Sequence, residues 1–307
     1  MRRRASEAGA SDGGARHRRA SEPAMAPTLS RTEGVDVSVI VPTHDRRPLL
    51  ERKLRALEDE RVSFEVIVVA DDCRDDTEAF LTTYTPPYPF SWKTTPGTQA
   101  ARARNRGAEA ARGRVLLFSD DDVIPRPGWL AAHLAAHDER RVVGIGRLVL
   151  PPHLTHGATP GGAIRWVHAT GAALSLPADL FREVGGYDPD FSGYGGEDID
   201  LAYRLQRAGA RFVSLPNAVA EHWDERYLDD LEAKARSAGA AHVRVWRKHG
   251  DASIAWALGI HPVVLALKRL VLNRIVASYV HHPTFRYERA YLAAALAARR
   301  EEEERPT

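Results

Sequence analysis

Three apolar stretches rich in β-branched residues, VDVSVIV (35–41), FEVIVVADD (64–72) and RVLLFS (114–119), are separated by segments whose apolar residues recur at helical spacing. A strand buried on both faces reads as a near-continuous apolar run. Such runs alternating with amphipathic helices predict an α/β fold around a mostly parallel central sheet flanked by helices. The first strand covers Val35–Val41 and is ended by Pro42. A helix follows from about Pro48 to Glu60, and another starts at about Asp75. A short strand near Phe90–Lys93 leads to a helix over TQAARARNRGAEAARG, which Gly113 is placed to end.

Beyond Pro127, at the first turn of a helix through Asp138, the alternation loosens. A strand at VVGIGRLVL precedes a Pro, Gly and His-rich segment, Pro151–Gly162, expected to loop over the site. GAALSLPADLFREVGGYDPDF reads as strand, helix and turn, RFVSLP and AVAEHW as two short strands, and Arg226–His249 as a long polar helix. The expected organisation is a disordered basic tail (1–34), an α/β domain (35–225) and a helical C-terminal extension (226–307). In the extension, IAWALGIHPVVLAL and KRLVLNRIVASYV are each too short for an uninterrupted membrane span. They read either as an amphipathic pair packed on the domain or as an interfacial contact with an anionic membrane surface.

Composition narrows the function. Lys plus Arg is 43 and Asp plus Glu 41, a formal charge of +2, so no general field attracts nucleic acid and any phosphate recognition is local. The single cysteine, Cys73, excludes an internal disulfide and a Cys-based zinc cluster, which fits a reducing cytoplasm. No apolar run follows the arginines of MRRR and RHRR as a secretory signal requires. Neither GxxxxGK[ST] nor GxGxxG follows the first strand, which argues against a phosphate-loop kinase and a dinucleotide dehydrogenase.

In open α/β sheets ligands bind outside the carboxyl ends of the strands. Here three strand ends are polar: Thr43–Arg46, Asp71 with Asp72, and Asp120–Asp122. Singly, an acidic strand end also reads as a helix cap. Three adjacent carboxylates in FSDDDVIP repel one another, and a cation or a partner relieves that repulsion. A bound nucleotide diphosphate would need a metal there and nearby arginines, of which the helix carrying Arg102, Arg104 and Arg106 is one source. Arg102 and Arg106 read as solvated. In GYGGEDIDLAYRL a glycine-rich approach ends in carboxylates at a helix start. The helix dipole accounts for Asp200, which also pairs with Arg204 at i,i+4, but not for the glycines and Tyr194 in front.

VSVIVPTHDR, ADDCRDDT, ARNRG, FSDDDVIPRPGWL and GGYDPDFSGYGGEDIDLAYRL, in this order, resemble a family 2 glycosyltransferase of the GT-A fold over roughly residues 36–225. FSDDDVIP and GYGGEDID are also similar to motifs of β-1,4-galactosyltransferases. The resemblance implies a Rossmann-like nucleotide-diphospho-sugar transferase, with Pro42, Thr43 and Arg46 at the nucleotide. Asp71 matches the second Asp of the usual DDGS motif, where Asp72 and Cys73 replace Gly and Ser. Asp120 and Asp122 match the DxD pair, with Asp121 and Arg104 also on the donor side. Asp122 and His222 would hold a divalent cation, Mn²⁺ or Mg²⁺. Read without the resemblance, His222 is a lone strand-end histidine.

The same resemblance makes Asp198 the base of an inverting transfer and gives Tyr194 and Glu197 to the acceptor. The implied activity moves a sugar from a nucleotide-diphosphate donor, UDP-linked, to a glycan, lipid-linked or small-molecule hydroxyl. The expected location is the cytoplasm, with peripheral contact at the inner face of the membrane. Alternatives are a sugar-phosphate nucleotidyltransferase, although VPTHDRRPLL lacks its glycines, and an inactive nucleotide-sugar-binding protein of the same fold. A receiver-type signalling module leaves GYGGEDID unexplained.

Overall fold

The computed structural model describes residues 34–97, 99–139, 141–150, 164–191, 194–223, 230–277, 279–280 and 282–303. The expected basic tail, apart from Gly34, and the expected Pro151–Gly162 loop lie outside the described residues.

The apolar runs form β1 (Val37–Thr43), β2 (Phe64–Asp71), β3 (Phe90–Thr95) and β4 (Val115–Phe118), connected through α1 (Arg47–Ala56), α2 (Thr77–Thr83) and α3 (Gln99–Ala110). They pair in parallel in the order β3-β2-β1-β4. The strand order therefore reverses at β1 and β4, and a crevice opens beyond their carboxyl ends. Period-two alternation sends Val39 and Val41 to one face, against Leu50 and Leu54 of α1. Ile40, Leu116 and Phe118 go to the other, against Phe181 and Tyr187. All of these are buried, each worth about 1.5–3 kcal/mol, and this fixes which residues reach the strand ends.

The rest of the sheet is β5 (Val123–Pro125), β6 (Val142–Val149), β7 (Leu174–Pro177) and β8 (Arg211–His222), with α4 (Trp129–Leu134), α5 (Ala178–Glu183) and α6 (Glu197–Arg207). The eight-stranded order is β3-β2-β1-β4-β7-β6-β8-β5. β7 and β5 run against their neighbours, so the sheet is mixed but mostly parallel. α7 (Leu231–His249), α8 (Ala252–Ala257), α9 (Pro262–Val271), α10 (Arg274–Ala277) and α11 (Pro283–Glu303) follow. Val245 of α7 and Ile254 of α8 enter the second face's core, while Ala235, Ala238, Leu265, Tyr291 and Leu292 form a core among the helices.

Four local expectations change. β1 does not stop at Pro42 but continues to Thr43. Pairing with β4 ends at Ile40, so on that side the N–H that Pro42 lacks has no ladder position to fill. α3 ends at Ala110, before Gly113. RFVSLP and AVAEH are one strand with a register shift where it passes Gly146 and Arg147 of β6. β5, three residues long, is too short to leave a periodic signal. Ala252–Val271, at 20 residues, is long and apolar enough to cross a membrane. It folds as two helices, with Gly259 at φ 68° and Pro262 at the start of the second.

Candidate active site

The β1 and β4 ends meet as the topology requires. Thr43 Oγ1 donates to Asp121 Oδ2 at 2.8 Å, and Arg46 NH1 donates to Asp122 Oδ2 at 2.8 Å and to Asp121 Oδ1 at 3.3 Å. Burial, reinforced by the neighbouring Asp122 carboxylate, pushes Asp121 up to about 7. Beneath the acidic run lies Lys53, which the sequence analysis did not single out. Its buried ammonium donates to Ser119 Oγ and to the Val123 carbonyl, both at 2.7 Å. Burial lowers it to about 8 against the opposing pull of Asp120, Asp122 and Asp121. The signal was present: Lys53 stands on the apolar face of α1 with Leu50, Leu54 and Leu57.

Pro42 is half-buried just before this cluster. Asp71 receives Thr95 Oγ1 at 2.6 Å and the Gln99 amide at 2.8 Å, so it ties the β2 and β3 ends to the start of α3. Asp72, which stands where a glycine was expected, adopts φ 52°. The left-handed turn is kept, because Asp enters that region more readily than most residues.

β5 sets the other side of the acidic loop. Val123 pairs with His222 of β8, and the Trp223 amide donates to the Asp122 carbonyl at 2.8 Å. His222 Nε2 lies 3.6 Å from Asp122 Oδ1, a separation too long for a hydrogen bond. A carboxylate oxygen and an imidazole nitrogen facing each other at that distance are both groups able to ligate a divalent cation. A second group, Asp45, Cys73 and Asp75, has its ligand atoms within 4.8 Å of one another. Its carboxylates already receive the backbone amides of Arg74, Asp75, Arg47 and Thr77, and these bonds shape the loops.

Arg104, buried on α3, joins the acidic loop to the α6 start. NH2 donates to Asp120 Oδ1 at 2.8 Å and NH1 to Glu197 Oε1 at 3.2 Å, with Asp198 Oδ1 3.6 Å away. The guanidinium lies 5.4 Å from the Tyr187 ring centroid and against Gly171, where an added Cβ would stand 2.5 Å from Cζ. Desolvation opposes ionisation of Asp120, yet Arg104 holds it below the usual carboxylate range. For Asp198 desolvation prevails over Arg104, helped by the adjacent Glu197, and pushes it up to about 7. Glu197 Oε2 and Asp198 Oδ1 are buried with no hydrogen-bond partner among the described residues. Arg102 and Arg106 are exposed, as their solvated reading requires.

The glycine-rich approach is built for closeness. Gly195 adopts φ 95°, and a Cβ on Gly196 would stand 2.6 Å from the Phe191 ring. Tyr194 is 51% exposed, its backbone amide accepted by Ser237 Oγ of α7. Asp200 pairs with Arg204 as expected, but not at the surface. It is fully buried and also receives Lys248 Nζ at 2.6 Å and His249 Nε2 at 2.8 Å. It is therefore an anchor between α6 and α7.

This sheet order and site make a GT-A fold. A mannosyltransferase from Pyrobaculum calidifontis, solved with GDP-Man and Mn²⁺, superposes with a TM-score of 0.59 over 89% of each chain at 20% identity. The glycosyl transferase family 2 model matches residues 38–157, and the model described as the N-terminal domain of galactosyltransferase matches residues 153–224. Together the two matches span residues 38–224, and over that span the chain is similar to family 2 glycosyltransferases. It is 31% identical over 231 residues to a validoxylamine A glucosyltransferase of Streptomyces hygroscopicus subsp. limoneus, covering 60% of this chain and 51% of that protein. It is 26% identical over 239 residues to a pre-mycofactocin glycosyltransferase of Mycobacterium tuberculosis, covering 70% of this chain and 48% of that one. The chain thus spans about half the length of these curated relatives.

Replacing Arg104 by Met leaves Asp120, Glu197 and Asp198 without their common cation and should cost about 3–5 kcal/mol of stability. Arg104 holds Asp120 low, so its stabilisation is present above the unfolded carboxylate value and is lost as pH falls through the lower folded one. The deficit of Arg104→Met in urea unfolding should therefore be largest near pH 8 and shrink toward acid. A pH-independent deficit contradicts the bridging role.

Proposed function

We propose that this protein transfers a sugar from a UDP-linked donor to an acceptor hydroxyl with inversion at the anomeric carbon. The observation that carries this reading is that Arg104 binds Asp120 on the acidic loop and Glu197 at the α6 start, 3.6 Å from Asp198. Donor and acceptor sides thus share one buried cation. Residues 35–225 would form the catalytic domain. The nucleotide would lie across Pro42, Thr43, Arg46 and Asp71, with Asp121 contributing by holding Thr43 and Arg46. Asp122 and His222 would hold a divalent cation, Mn²⁺ or Mg²⁺, whose charge offsets that of the departing diphosphate.

Asp198 accepts the proton of the acceptor hydroxyl, and that oxygen attacks the anomeric carbon from the face opposite the diphosphate. The carbon–oxygen bond to the diphosphate breaks, giving glycoside and nucleoside diphosphate. A base pushed up to about 7 is suited to this proton transfer near neutral pH. Glu197 Oε2 and Asp198 Oδ1 offer buried acceptors that sugar hydroxyls would satisfy. Exposed Tyr194 gives an acceptor ring a face to stack on. As part of the same reading the protein works in the cytoplasm, its helices beyond residue 226 against the inner face of the membrane.

A thermal-shift screen of UDP, GDP and dTDP sugars with and without Mn²⁺ identifies the donor, because a ligand that binds only the folded state raises the melting temperature. Asp122→Ala should abolish the Mn²⁺-dependent part of that shift, and full retention removes Asp122 from the metal site. Asp198→Asn should lower turnover by about 10² to 10⁴ while donor binding and melting temperature stay near wild type. The protonated carboxyl cannot serve as base, so wild-type turnover should fall as pH drops below about 7, and the variant's residual rate should lack that limb. Loss of less than about tenfold, with the acid limb intact, assigns the base elsewhere.

A further inference from the structure

Exposed large apolar side chains among the described residues fall in two places: Tyr194, and a run from Trp256 to Val280. Single exposed apolar residues are ordinary, but a contiguous patch marks an interaction surface. On α9, Val263, Leu267, Leu270 and Val271 recur at i, i+4, i+7 and i+8 and so share one face. They are 53–72% exposed, whereas Leu265, on the opposite side, is buried in the helical core. Trp256 of α8 is also exposed and stacks on His261 with ring centroids 3.9 Å apart.

Charge identifies what covers this face. Between Asp251 and Glu288 the chain has no Asp or Glu but contains Lys268, Arg269, Arg274 and Arg286. Lys268 and Arg269 lie on the same helix, outside the apolar stripe. Arg269 is exposed, while Lys268 reaches Glu288 at 2.7 Å. A second copy docked by two-fold symmetry would set these cations against their own equivalents. An amphipathic helix with one exposed apolar face, two cations and no acids complements an anionic lipid surface.

The face is also close to the acceptor loop. Ser237 Oγ binds the Tyr194 backbone amide and carbonyl, both at 3.0 Å. His242 lies beside the Gly195 backbone and, through Nδ1, hydrogen-bonds the Tyr291 hydroxyl at 2.8 Å. Tyr291 donates in turn to the Leu258 carbonyl at 3.0 Å, in the turn between α8 and α9. Two side chains therefore separate the Tyr194 loop from the exposed helices.

We propose that the α8–α9 hairpin docks on an anionic bilayer through Trp256, Val263, Leu267, Leu270 and Val271, placing the acceptor loop beside the membrane surface. This rests on the reading of the Tyr194 loop as the acceptor side; the docking itself is tested independently of transfer. The full chain is sedimented with vesicles of phosphatidylcholine alone or mixed with phosphatidylglycerol, at low and high salt. It should sediment with the anionic vesicles only, and less at high salt. Leu267→Glu combined with Leu270→Glu should weaken this by on the order of a hundredfold, without changing the melting temperature or donor hydrolysis. Sedimentation with no vesicle, or equally in both proteins, overturns the proposal. So does a dimer that the double substitution makes monomeric without any lipid dependence, which assigns the face to a second copy. Lipid docking with no donor turnover leaves the surface assignment standing and removes the transferase reading.

Discussion

A guanidinium buried among carboxylates is the interaction on which the site depends. Arg104 is drawn from water onto α3, and Asp120 and Glu197 bond it from segments 16 and 93 residues away in the chain. Taking these charges out of water costs several kcal/mol per ion, and only good geometry offsets it. That requirement fixes the relative position of the acidic loop and the α6 start. It also explains the small residue at Gly171, since a side chain there would occupy the space of the guanidinium. The carboxylates divide: Asp120 is held low beside Arg104, while burial, helped by the adjacent Glu197, raises Asp198.

The acidic run has its own internal compensation. Three adjacent aspartates would repel each other at a bare strand end, but Arg46 and Thr43 bind two of them from the β1 end and Lys53 lies beneath. β5, short as it is, brings Asp122 to His222 by antiparallel pairing with β8. The acidic-loop side of the site is thus built by the parallel half of the sheet and its first crossover helix. The opposite side is built by α6, and α7 secures it through Asp200, Lys248 and His249.

The parts legible in sequence are those where local pattern and global fold coincide. Buried parallel strands must be apolar, so β1, β2 and β4 and the polar residues at their ends could be read directly. What could not be read depends on contacts between distant segments. The burial of Asp200 comes from Lys248 and His249 on another helix, and the i,i+4 pair with Arg204 gave no hint of it. Pro42 ends a strand by local rules, yet here β4 has already ended beside it. The bridging of Arg104 required the fold, because ARNRG alone does not separate one buried arginine from two solvated ones.

The central claim is that Asp198 and the acidic loop act on opposite faces of one sugar. The most direct test is the anomeric configuration of the product, read by ¹H NMR of the anomeric proton in a reaction run with an α-linked nucleotide sugar. A β-linked glycoside is the result this arrangement predicts. An α-linked product would mean that the acceptor attacks from the diphosphate side, and it would contradict both the role of Asp198 and the division of the site into donor and acceptor halves.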